Sequence, residues 1–173
     1  MRSGAATANL IGPITTDRLR LRPIERHDAR QFAVLGRDAE VFRYIPEISA
    51  PLDAEAWIAE LSRNAECYVR HAVELLGTGT VVGAVQLDRR TNLTLQLGYW
   101  FGRPFWGQGY ATETVEALFR LLDTITGEPV HAAVHPGNLA SRAVLENNGF
   151  VCLNPQASRH RRWSGDPLDT RNL

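Results

Sequence analysis

The chain has 173 residues, 44% of them hydrophobic, and its 19 basic and 19 acidic side chains leave no net charge. That length suits one domain burying about two-thirds of its unfolded surface, and the balanced charge supplies no global field toward nucleic acid or an anionic membrane. Every basic residue is arginine, which excludes Schiff-base and lysine-base chemistry.

Residues 1–14 show no basic stretch followed by an apolar one and read as a flexible segment before a single domain over 15–173. No apolar run approaches the roughly 18 residues of a membrane span. Cys67 and Cys152 stand singly among apolar neighbours without metal-ligand spacing, the pattern of reduced core thiols in a cytoplasmic protein with no metal site.

Arg18 to Arg22 alternates strictly up to Pro23, which predicts a first strand with one wet face. His27 to Leu35 reads as a short helix with Asp28 as N-cap and Gly36 as its stop. A loop from Glu40 to Ile48, rich in large side chains, leads to a second helix starting near Asp53, with Trp57, Ile58 and Leu61 on one side. Tyr68–Leu76 and Thr80–Asp88 are expected to pair around Gly77-Thr78-Gly79. Leu93 to Phe101 is strand-like again. After it come Gly107-Gln108-Gly109 and a helix whose Ala111, Val115, Leu118, Phe119 and Leu122 fall at spacings of four, three, one and three. Val130–Val134 is a further strand, and a helix between two strands implies that the pair is parallel. Leu139–Asn147 is a last helix, closed by Gly149 in a left-handed conformation with Phe150 packing back. The fold class is α/β with a mixed sheet; the tail offers only Ala157–Arg162 and Leu168–Leu173 as further strands.

Two glycines between a strand and a helix let the backbone approach a ligand, with the free N–H groups of the helix start behind them, an arrangement suited to pyrophosphate. The turn lacks the Gly-Lys-Ser/Thr of a nucleotide P-loop.

Four passages resemble the GNAT superfamily of acetyl-CoA-dependent N-acetyltransferases, in its RimJ/RimL branch of ribosomal-protein N-terminal acetyltransferases. They are Thr16–Pro23, Phe42–Pro46, Leu97–Glu113 (LGYWFGRPFWGQGYATE) and Asn138–Phe150 (NLASRAVLENNGF), together spanning about Thr16 to Leu153. The resemblance implies a mostly antiparallel sheet with a splayed parallel central pair, helices on both faces, and acetyl-CoA as acyl donor. It implies that Tyr99, Trp100, Phe101, Arg103, Trp106, Gly107, Gln108, Gly109, Tyr110, Ala111, Thr112 and Asn138 bind the coenzyme, and that Arg43 and Tyr44 meet the acceptor amine, as Glu47 is expected to do from its place in the loop before the second helix.

Three positions depart from the family pattern. Pro104 stands where the turn usually carries Gln or Arg, with Arg103 one place earlier; Leu145 stands where many members place a catalytic Tyr; and Gln96 stands where this branch offers a Glu as base. A neutral amide cannot take a proton from an ammonium. Ser141, one turn before Leu145, is the remaining hydroxyl for the departing thiolate, and Ser141 and Gln96 are the expected catalytic positions. Other candidates for a base are His71 or Glu74, which period two puts on opposite faces of one strand, Glu47 and His135. Arg159-His160-Arg161-Arg162-Trp163 reads first as a solvated charge run, and nucleic acid is not an expected partner. The reading is an N-acetyltransferase acting on a primary amine, a protein N-terminus or a small amino compound, by direct transfer in a ternary complex. An acyl-CoA-binding sensor with little turnover is the alternative, and a homodimer is one way to supply the edge strand that the short tail leaves incomplete.

Overall fold

A computed structural model describes residues 11–63, 67–89, 94–126, 128–154 and 159–162. The chain runs β1 (Ile14–Thr15), β2 (Leu19–Pro23), α1 (Ala29–Leu35), α2 (Ala54–Arg63), β3 (Cys67–Leu75), β4 (Val81–Arg89), β5 (Leu95–Phe101), α3 (Tyr110–Ile125), β6 (Val130–Ala133), α4 (Leu139–Asn147), β7 (Val151–Asn154) and β8 (Arg159–Arg162). Single 3-10 turns cover Arg26–Asp28, Ala39–Phe42 and Arg103–Phe105. The eight strands form one sheet in the order β1-β2-β3-β4-β5-β6-β8-β7. Every pairing is antiparallel except β5 with β6, because α3 crosses over between those two strands.

Strand alternation splits the apolar residues between two faces. Leu19, Leu21, Val69, Val73, Val85, Leu87, Leu95 and Leu97 meet Val115, Leu118, Phe119 and Leu122 of α3 and Leu145 of α4. Ala72, Val81, Ala84 and Trp100 meet Phe32 and Leu35 of α1 and Ile58 of α2. Trp100 anchors the second layer, with its ring centroid 5.2 to 5.7 Å from those of Phe42, Phe32 and Trp57, separations at which aromatic edges and faces attract.

Local signals govern the ends of several elements. Asp53 caps α2 by accepting the Ala56 N–H at 3.0 Å. Gly149, at φ 77°, turns the chain after α4, so that Phe150 is buried with its ring 5.3 Å from Phe119. Asp28 departs from expectation. It stands at the N-cap position of α1, but its carboxylate does not cap the helix. Both of its oxygens instead accept from Arg22, each at 2.8 Å, and one also takes the Glu25 N–H. Burial alone would raise this carboxyl, and these donors hold it below its usual value.

Two further expectations are corrected. The leading segment is anchored from Ile11 onward: Ile11 is buried, its carbonyl lies 3.1 Å from His71 Nε2, and Ile14 pairs with Leu21. At the other end, Val151–Asn154 is a strand the sequence reading passed over, and β8 inserts between it and β6. An in-chain strand therefore stands where a partner's edge was one possibility. Leu168–Leu173, residues 1–10, Trp163 and the side chain of Cys67 lie outside the described residues. Cys152 is a free thiol, half-buried on β7 rather than in the core.

Candidate active site

Pairing between β5 and β6 runs from Leu95↔Val130 to Leu97↔Ala132 and stops, although β5 continues to Phe101. On its other edge β5 stays paired with β4 as far as Phe101. Backbone groups in an antiparallel ladder point alternately to either edge, and the Gly102 N–H donating to Val82 O at 2.9 Å fixes the phase. The N–H groups of Tyr99 and Phe101 consequently face the gap that β6 has left. A cleft of about 580 Å³ opens there, bounded by the loop carrying Glu40, Val41, Arg43, Tyr44 and Ile45, the end of β5, the glycine turn, and the start of α4 from Gly137 to Ser141.

The glycine turn follows directly from β5. Trp106 folds back so that its indole N–H donates to Phe101 O at 2.7 Å. Gly107 and Gly109 then adopt φ of 72° and 79°, conformations that cost an L side chain about 1–2 kcal/mol. Gly109 is the N-cap of α3, and no side chain caps this 16-residue helix. The amides of its first turn thus face the cleft at the positive end of the helix dipole. The cradle fits a pyrophosphate, and the exposed edge of β5 fits an amide-bearing arm that hydrogen-bonds as a strand would.

Beneath the turn lies a clamp the sequence reading missed. Arg18, at the entrance to β2, donates through Nε to Glu113 Oε2 at 2.7 Å and through Nη1 to Gln108 O at 3.0 Å. Its guanidinium also lies 4.7 Å from the centre of the Tyr110 ring. Thr16 adds a hydroxyl donor to Glu113 at 2.6 Å. Burial would raise the Glu113 carboxyl, but the Thr16 and Arg18 donors outweigh it and hold it below its usual value. Arg18 and Glu113 both sit in passages that carry the family resemblance, yet they lie 95 positions apart, and no local pattern joins them.

On the opposite wall Asn138 caps α4 by accepting the Ser141 N–H at 3.1 Å. The Ser141 Oγ lies 2.9 Å from the Tyr99 hydroxyl. Tyr99, Trp100, Phe101, Trp106, Gly107, Gly109, Tyr110, Ala111, Thr112, Asn138, Ser141, Arg43 and Tyr44 all line the one cleft. Arg103, Gln108, Gln96 and Glu47 are not among the residues lining it. Arg103 pairs with Asp38 at 3.2 Å, Gln108 donates to Pro104 O at 3.0 Å, and Glu47 is exposed. Gln96 lies between Asp88 on β4 and His131 on β6.

The remaining candidates for a base are engaged elsewhere. Glu74 pairs with Arg22 at 2.8 Å. His71 is buried, its imidazole pushed down to about 4 by loss of solvent. His135 stacks on Tyr44 with ring centroids 4.9 Å apart, and its Nδ1 accepts the Gly137 N–H at 3.1 Å.

The sequence pattern that defines the acetyltransferase (GNAT) domain matches residues 18–151. An uncharacterized protein of Bacillus subtilis, YkkB, is 32% identical over 150 residues, covering 79% of this chain and 84% of the relative. Among solved structures, a GNAT-family acetyltransferase from Bacillus anthracis superposes with a TM-score of 0.76 at 21% identity, covering 89% of this chain and 99% of its own. A ribosomal-protein-S5-alanine acetyltransferase from Vibrio fischeri superposes at 0.72 with 18% identity over 90% and 98% of the two chains. With splayed strands, an uncapped helix start behind a glycine turn, and a family match spanning most of its length, this chain belongs to the GNAT acetyltransferases.

Proposed function

We propose that the protein transfers the acetyl group of acetyl-CoA directly to a primary amine, a protein N-terminus or a small compound with a single amino group, within a ternary complex of the RimJ/RimL type. GNAT domains in general use this donor, whose thioester supplies an activated carbonyl and a thiolate leaving group. The observation that carries the reading is the convergence in one cleft of an uncapped helix start behind Gly107 and Gly109, an open strand edge, and a hydroxyl pair on the facing wall.

The chain's residues divide the work. Amides of the first turn of α3 receive the pyrophosphate, and Arg18 holds that turn through Glu113 and Gln108 O. The Phe101 N–H is placed to donate to the carbonyl oxygen as charge develops on it. Ser141 donates a hydrogen bond to the departing sulfur. Glu40 is the only carboxylate among the lining residues, and Arg43 lies 3.5 Å from it. A polycationic acceptor would find little to neutralise it there. With Glu74 paired to Arg22 and His135 Nδ1 accepting the Gly137 N–H, the amine enters already neutral, which suits an α-amino group of pKa about 8. Cytoplasmic location fits this chemistry, and among the described residues no helix is long and apolar enough to cross a membrane.

The test is a panel of peptides, free amino compounds and polyamines supplied with acetyl-CoA, read by thiol release. Turnover with monoamines and little with polyamines is expected. Binding of acetyl-CoA without thiol release from any amine would identify a coenzyme-binding sensor instead.

A further inference from the structure

Tyr99 leaves β5 where the strand has parted from β6, and its ring packs against the main core and edge-on to Phe101 at 6.4 Å. Its hydroxyl reaches the first turn of α4, 2.9 Å from Ser141 Oγ and 3.3 Å from the Ser141 carbonyl oxygen. The first distance lies within the ordinary O–H···O range and the second beyond it.

A phenol has one proton to give, and a serine hydroxyl has one proton and two lone pairs. If Ser141 donates to Tyr99, its proton points away from the cleft. If Tyr99 donates to Ser141 Oγ, the serine proton is available to a third group. Both side chains line the cleft; in the first arrangement the phenol proton turns to the Ser141 carbonyl oxygen, so negative charge developing there favours the second, which directs the serine O–H at the charge. A serine in the first turn of a helix also has the option of donating to a carbonyl one turn back. A donor fixed on Oγ works against that alternative and polarises the serine O–H. Burial, outweighing the serine hydrogen bond, pushes the Tyr99 phenol up to about 12, so it keeps its proton throughout the neutral range.

We propose that Tyr99 is a positioning residue: its hydroxyl, fixed by β5, aims the Ser141 hydroxyl at the departing sulfur. A strand residue and a helix residue together then do what a single helix tyrosine at the position of Leu145 would do. The inference rests on the assignment of Ser141 made above. The acceptor nitrogen forms the C–N bond while the C–S bond breaks with its electron pair remaining on sulfur. The surplus proton on nitrogen passes to water, and Ser141 and Tyr99 keep theirs.

The experiment combines Tyr99→Phe, Ser141→Ala and the double variant with two readouts. Tyr99→Phe retains the ring and its packing, and acetyl-CoA affinity by calorimetry verifies that the cleft is intact. Turnover is expected to fall about tenfold in Tyr99→Phe and about 10²-fold in Ser141→Ala, with KM for acetyl-CoA within about twofold in both. The double variant should be no slower than Ser141→Ala alone. The second readout is the thiol of bound free coenzyme A, titrated by the ultraviolet absorbance of the thiolate. Its pKa should lie below the ordinary value of about 8.5 in the wild type and return toward that value in both variants. If both single variants keep wild-type turnover and thiol pKa, the assignment of Ser141 falls. If Ser141→Ala alone shows the losses, or if the two losses multiply, the positioning role of Tyr99 falls while Ser141 stands.

Discussion

At Gly109 the backbone requires a left-handed φ of 79° in a place where an added Cβ would lie 3.5 Å from Arg18 Nη2. An aspartate there would bear backbone strain and set a carboxylate against the amides that receive the pyrophosphate. Folded Gly109→Asp protein should lose at least tenfold in acetyl-CoA affinity by calorimetry, and unaltered affinity would place the coenzyme elsewhere. Gly107 differs, since a Cβ would meet nothing within 4 Å; there the φ alone selects glycine. Gln96 is set by register. It shares a face of β5 with Trp100, which does line the cleft, but it lies four residues earlier, where β5 is still paired on both sides, between Asp88 and His131. A carboxylate introduced at 96 would stand directly across from Asp88, and such like-charge pairs across strands destabilise.

Among the elements, β3 carries the clearest link between packing and solution behaviour. His71 faces the α3 side of the sheet, fully buried, and holds the Ile11 carbonyl. Burial lowers its pKa from 6.5 to about 4, so the unfolded chain takes up a proton in that interval while the folded one does not. Folding stability is therefore insensitive to this group above pH 6.5 and falls as pH drops from 6.5 toward 4, by about 3 kcal/mol at most. Urea denaturation at pH 7 and pH 4.5 should show the loss in the wild type and a shallower one in His71→Leu. An equal loss in both would remove His71 as the cause. Glu113 and Asp28, whose carboxyls are held below their usual values, add their own losses at lower pH, as those groups take up protons only after the unfolded chain has done so. The Arg18–Glu113 clamp also joins β2 to the first turn of α3, which makes the geometry of the anion cradle depend on the sheet as well as on its own glycines.

For the molecule as a whole, the one carboxylate among the described lining residues, Glu40, is paired with Arg43, so the pH profile should belong to the acceptor. The log of kcat/KM should rise with pH up to the pKa of whichever amine is supplied, and amines of lower pKa should reach their plateau earlier. A single ascending pKa near 6.5, the same for every amine, would show that the enzyme supplies a base after all. Much of the architecture was legible along the chain because the signals are local. Strand alternation at Arg18–Arg22, the helical spacing from Ala111 to Leu122, the helix start near Asp53, the cap Asn138, the glycine turn at 107 and 109 and the left-handed Gly149 are each set by neighbours within a few residues. Asp28 holds the expected N-cap position of α1, but Arg22 takes its carboxylate, and β7 is hard to read because four residues after a helix end carry little periodicity. The sequence by itself determined the elements, the glycine turn and the family pattern. Only the tertiary structure decided that Arg18 grips Glu113, that Tyr99 meets Ser141, that Gln96 lies between Asp88 and His131 and that β8 lies between β6 and β7. Those contacts join residues dozens of positions apart, and their partners are chosen by strand register and sheet order, which no short stretch of sequence encodes.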